Sequence, residues 1–117
     1  MSLVIGVSGE AQAAENLQKT IKHLLAVVAN SNHTFIRNGE AHTGKEAAQH
    51  MQAKYKHFKH KIKTPEDFIR LAASKSIMSG RPYLVKIGSK EIRADRWLLS
   101  VLEEYRESVK SQEDASP

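Results

Sequence analysis

The sequence predicts an α+β domain in which four helices pack on a small antiparallel sheet made of a hairpin and one short strand. Three observations carry this. Four stretches repeat apolar residues at helical spacing. Residues 82–94 alternate around a Gly-Ser turn, as a hairpin does. A short β-branched and aromatic run, Thr34 to Arg37, lies between the first two helical stretches. At 117 residues the chain can build one core but not two. The expected layout is a leader remnant or disordered segment over 1–13, one domain over 14–110 and a disordered tail over 111–117.

The first helix is expected over residues 14–30. Leu17, Ile21, Leu24, Leu25 and Val28 form its buried stripe, and Asn30-Ser31-Asn32 ends it. Thr34 to Arg37 follows as a strand that Asn38-Gly39 terminates. Thr43 and Glu46 have capping-box spacing and open the second helix. Its core stripe is Ala47, Ala48, Met51, Tyr55, Phe58 and Ile62, with Glu46, His50 and His57 on a polar stripe. Thr64-Pro65-Glu66-Asp67 is a third helix start: a cap, a proline at the first position and two acids in the first turn. That helix buries Phe68, Leu71 and Ala72. Ser74 to Arg81 reads as a polar loop with Gly80 at positive φ. In the hairpin Tyr83, Val85 and Ile87 alternate with Leu84 and Lys86. Asp95 caps a last helix with the stripe Trp97, Leu98, Val101, Leu102, Tyr105 and Val109. Leu99 lies off that stripe, where it could serve a homo-oligomer contact.

Composition excludes several function classes. The chain has no cysteine, hence no disulfide, thiolate zinc site or cysteine nucleophile. A hydrophobic share of 40% and a charged share of 26% suit a folded domain. No run of about eighteen apolar residues is present to span a bilayer. A net charge of +5 favours acidic partners without selecting one. Near the start, LVIGVSGEAQAAEN ends an apolar segment in Ala11-Gln12-Ala13, the A-x-A pattern of a signal-peptidase site. Its expected meaning is a truncated export signal, with Met1-Ser2-Leu3 an added start.

Gly39, four residues and Gly44-Lys45 come within one residue of a phosphate loop. That loop needs a Ser or Thr next, to hold Mg²⁺, and the next residue is Glu46. A carboxylate there repels phosphate. The capping box accounts for Thr43 and Glu46 without a nucleotide, so no cofactor is expected.

His42, Glu46 and His50 fall at i, i+4 and i+8. Imidazole and carboxylate so spaced could hold zinc or act as a base with its orienter, but a third ligand is not assigned. His57 and His60 read as solvated. No metal site is expected. QAKYKHFKHKIK, residues 52–63, has five lysines, no acid and two aromatics, the best nucleic-acid argument in the chain. Tyr55 and Phe58, however, fall on the core stripe rather than among the lysines. Ser76 and Ser79 flank a glycine-bearing loop without a G-x-S-x-G motif.

FIRNGEAHT, EAAQHM, TPEDFIRLAASKS and SGRPYLVKI, in that order and spacing over roughly residues 34–87, resemble the YfeK-like family of small bacterial proteins of unknown function. The resemblance implies export to the periplasm and no established activity. It marks Arg37, Asn38, Gly39, His42, Glu46, Ala47, His50, Phe68, Ser76, Gly80, Pro82 and Tyr83. Gly44-Lys45 is not in the pattern.

The expected function is a non-enzymatic exported binding or accessory module for an anionic small molecule, peptide or envelope component. Its ligand-binding residues would be Arg37, Asn38, His42, His50, Ser76, Ser79, Arg81 and Tyr83, whose polar and cationic groups suit a carboxylate. The alternatives are a small hydrolase with a Ser–His pair from the same cluster, and a nucleic-acid binder through helix 52–63.

Overall fold

A computed structural model describes residues 15–115. The Ala11-Gln12-Ala13 pattern, the rest of the leader expected over 1–13 and the last two residues of the tail lie outside these residues. Helix α1 spans Leu17–Asn30 and starts later than position 14, because the Asn16 side chain accepts from the Lys19 N–H at 3.0 Å and caps it. It buries Ile21, Leu24 and Val28.

Strand β1 (Thr34–Arg37) ends at Asn38-Gly39 as expected, but the chain reverses there into β2 (Glu40–His42), which the apolar pattern had not predicted. Asn38 has φ +53° and Gly39 φ +81°. Arg37 pairs with Glu40 across these two residues, so the turn is of the I′ kind whose twist matches a hairpin. The sheet therefore has four strands rather than three. With β3 (Leu84–Ile87) and β4 (Lys90–Arg93), the order is β2-β1-β3-β4, antiparallel throughout.

Helix α2 (Gly44–Phe58) opens with the expected capping box: Glu46 N–H to Thr43 Oγ1 at 3.1 Å and Thr43 N–H to Glu46 Oε1 at 3.0 Å. Gly44 also packs α2 on α1. A Cβ at Gly44 would sit 2.3 Å from the Val28 carbonyl oxygen. The glycine of the near-miss phosphate loop thus has a packing reason of its own. A single 3₁₀ turn, Lys59–Lys61, leads to α3 (Pro65–Ala72), whose Thr64–Asp67 box closes in the same way.

Phe35 on β1 and Val85 on β3 are direct cross-strand partners, and both are buried. They join Leu24, Met51, Phe68, Ile69, Leu98 and Leu102 in one core between sheet and helices. Helix α4 (Ala94–Ala115) begins one residue before the expected cap. Asp95 instead lies in its first turn, where it binds the Arg96 N–H at 2.8 Å and Arg93 at 2.9 Å. The helix continues as far as Ala115, into the stretch expected to be tail. Arg106 on α4 reaches Glu15 at 2.9 Å and Glu66 at 2.7 Å, clamping the approach to α1 and the start of α3. Leu99 is 44% exposed, off the buried stripe. No helix among the described residues is long and apolar enough to cross a membrane.

Candidate functional site

Tyr83 is held on both sides by its backbone. Its N–H donates to the Ser74 carbonyl at 3.0 Å, and its carbonyl accepts from the Ala94 N–H at 2.9 Å. The ring lies almost fully buried at the entry to β3. Its hydroxyl meets two side chains of α2 one turn apart: His50 Nε2 at 3.2 Å and Lys54 Nζ at 3.1 Å. Lys54 Nζ also donates to the Lys75 carbonyl at 3.0 Å and stands 5.0 Å from the Tyr83 ring centre. His50 Nδ1 faces Arg37 Nη1 of β1 at 3.4 Å.

Hydrogen-bond roles follow from the groups themselves. A guanidinium only donates, so His50 Nδ1 accepts from Arg37 and the imidazole proton resides on Nε2. Nε2 then donates to the Tyr83 oxygen, as does the Lys54 ammonium. With both donations received, the Tyr83 proton is left for an acceptor from outside the cluster. The arrangement is rich in donors and in positive charge. Among the described residues, no carboxylate forms an ion pair with Arg37 or Lys54.

The ionisations register this. Burial first, then Arg37, Lys54 and His42, lower the pKa of His50 below its usual 6.5. Burial and then Arg37 lower that of Lys54. Burial raises that of Tyr83, with Arg37 opposing. His50 and Lys54 are thus both disfavoured as cations, by burial first and then by the neighbouring charge of Arg37.

Above this cluster is a cavity of about 30 Å³ lined by Phe35, Ile36, Arg37, His42, Glu46, Ala47, His50, Met51 and Tyr83. His42 faces Glu46 at 3.5 Å through Nδ1, and Glu40 at 3.8 Å through Nε2. Its Nε2 is buried with no hydrogen-bond partner. His50 has turned to Arg37 and Tyr83, so the i, i+4, i+8 series does not converge. Among the described residues no group of three His, Asp or Glu side chains could hold a metal ion.

Four of the eight residues singled out from the sequence, Arg37, His42, His50 and Tyr83, thus line one cavity. The other four form an adjoining brace. Asn38 Oδ1 accepts from Ser79 Oγ at 2.6 Å, and Asn38 Nδ2 donates to Ser76 Oγ at 3.3 Å. Ser76 and Ser79 further accept from the Ser79 and Arg81 N–H groups. The Arg81 guanidinium lies over Gly39, 3.9 Å from where a Cβ would stand. These contacts tie the I′ turn to the 74–82 loop and hold Tyr83 opposite α2. Neither serine hydroxyl is directed at a histidine.

Lys54 is the residue sequence reasoning missed. It was grouped with the solvated lysines, but only 8% of it is exposed. The signal was present: Ala47, Met51, Lys54 and Phe58 are spaced as one buried seam. Its burial also removes a cation from the basic stretch. Tyr55 packs edge-on against Phe68, 5.8 Å between ring centres, rather than offering a stacking face.

A family model described as a family of unknown function, DUF5329, matches residues 15–106. The curated Uncharacterized protein YfeK of Salmonella typhimurium (strain LT2) is 40% identical to the chain over 60 residues, 51% of this chain and 50% of that protein. The match thus spans about half the length of that relative. No solved structure matches. The resemblance read from the separated blocks is borne out, and with the family model running from the approach to α1 into α4, the chain belongs to DUF5329, a family of unknown function.

Proposed function

We propose that the protein is a non-enzymatic binding module that captures a small anion, or the carboxylate of a peptide, at the Arg37–His50–Tyr83–Lys54 cluster. One observation carries this: two cations, Arg37 and Lys54, are held in or beneath a cavity, and among the described residues no carboxylate forms an ion pair with either. Burying a cation without a counter-charge costs several kcal/mol in principle, and an incoming anion offsets that cost. Binding is favoured over Ser–His hydrolysis because the Ser76 and Ser79 hydroxyls are engaged with Asn38. It is favoured over nucleic-acid binding by the burial of Lys54 and the packing of Tyr55.

The proposal includes export to the periplasm, on the A-x-A pattern at Ala11-Gln12-Ala13 and the family resemblance. Mass spectrometry of the product of the full natural gene tests this part: a cleaved amino terminus supports it, and an uncleaved one ends it.

The binding reading is tested by titrating acetate and phosphate separately into the protein and following heat and thermal midpoint. At least one should bind, and Arg37→Ala should weaken that binding by roughly tenfold or more, as expected for a lost charge-assisted pair. Arg81→Ala should leave it within about twofold. Binding that ignores Arg37, or no binding by either anion, overturns the assignment.

A further inference from the structure

The cavity lining narrows the class of anion, on the footing that the site takes an anion at all. We propose that it selects a monocarboxylate with an apolar body over phosphate and other dianions. Phe35, Ala47 and Met51, all buried, supply an apolar part of the lining. Such a wall offers no donor to an oxygen, so every ligand oxygen placed against it goes unsatisfied. The donors are few: the Arg37 guanidinium and the spare Tyr83 proton. Two oxygens in one plane match a guanidinium fork in bidentate fashion. The four oxygens of phosphate exceed what these groups can satisfy.

Charge points the same way. Glu46 lines the same cavity with a side chain 58% exposed, and so stands at its rim. Each negative charge on a ligand meets repulsion from Glu46, and from Glu40, which stands 3.8 Å from His42 Nε2, so the second charge of a dianion adds repulsion without finding a second guanidinium fork. Volume agrees: at about 30 Å³ the cavity suits a two-oxygen head group lying against the apolar lining better than the bulkier phosphate.

The head group could come from a free short-chain acid or from the carboxyl terminus of a peptide. Calorimetric titration at about pH 7.5, where free imidazole is mostly neutral, separates these with three probes: butyrate, inorganic phosphate, and an apolar tripeptide with its carboxyl terminus free or amidated. Butyrate should bind at least about tenfold more tightly than phosphate. Glu46→Gln keeps a capping-box residue at this position, so α2 stays formed, and it should narrow that ratio by improving phosphate. Tripeptide binding that exceeds butyrate and vanishes on amidation would identify a chain end as the source. Equal or weaker tripeptide binding would identify the free acid. Either result supports the monocarboxylate class. Phosphate equal to or tighter than butyrate, with Arg37→Ala losing both, overturns the selectivity and leaves the anion site standing. Failure of every probe to bind overturns both.

Discussion

Gly44→Ala converts the near-miss phosphate motif into a measurable packing statement. The new methyl would lie 2.3 Å from the Val28 carbonyl oxygen, 3.1 Å from that of Ser31 and 3.2 Å from the Ser31 hydroxyl. The nearest two atoms are backbone, so no rotamer change relieves the contact. The C-terminal end of α1 must move away from the first turn of α2. Alanine in place of glycine gains up to about 1 kcal/mol from reduced backbone entropy and better helix propensity. Overpacking typically costs about 1–3 kcal/mol, and occasionally more. A contact this short against a main-chain oxygen belongs at the upper end, so a net loss of about 1–2 kcal/mol is expected. For a domain of this size that lowers the thermal midpoint by roughly 5–15 °C. Urea unfolding followed by circular dichroism should show a lower midpoint with an unchanged slope. A variant as stable as the parent, or more stable, would refute the packing argument for Gly44.

Two further perturbations test the framework of the site. Asn38→Ala should cost about 1–3 kcal/mol, from an alanine forced to positive φ and the loss of the Ser76 and Ser79 bonds. Asn38→Gly keeps the turn and should cost less; equal losses in urea unfolding would show that φ is not the constraint. The His50 prediction concerns pH. Its folded pKa lies below its unfolded value of about 6.5, so the unfolded chain binds the proton more readily. The contribution of His50 to stability is therefore complete above about pH 6.5 and declines as pH falls from there through the folded pKa. Acidification places an imidazolium beside Arg37, Lys54 and His42, with the Tyr83 hydroxyl on its other side. The loss in urea midpoint between about pH 7.5 and 5.5 should shrink in His50→Gln relative to the parent; an equal loss in both proteins would remove His50 as its cause.

Much of the fold was legible because its helices are marked twice, by apolar stripes and by chemical caps. Thr43 with Glu46, and Thr64 with Pro65 and Asp67, locate two helix starts closely. Strand β2 was not legible from apolar pattern. Glu40 and Ala41 are exposed on an edge and His42 is only half-buried, so the strand has no alternation to read. Its signal lay in Asn38-Gly39, the dipeptide favoured in an I′ turn, which was read as an end rather than a reversal.

The site was legible in part for a related reason. Arg37, His42 and His50 lie close in sequence on consecutive elements, which local structure brings together. Tyr83 joins them through the β1–β3 pairing, a long-range contact that no local pattern specifies. Arg81 belongs to the same region but faces the Gly39 turn, because the direction of a loop side chain depends on tertiary closure. Lys54 escaped notice because an ammonium is rarely buried, although it stands on the seam of apolar α2 residues.

The measurement closest to the central claim is the titration of His50 itself, followed by nitrogen-correlated NMR of its imidazole with and without saturating acetate or phosphate. Bound anion in the cavity should stabilise the imidazolium and raise the His50 pKa toward its ordinary value, while shifting both ring nitrogens. The same addition to Arg37→Ala should have much less effect. A His50 titration that neither anion moves in the parent protein would contradict an anion site at this cluster.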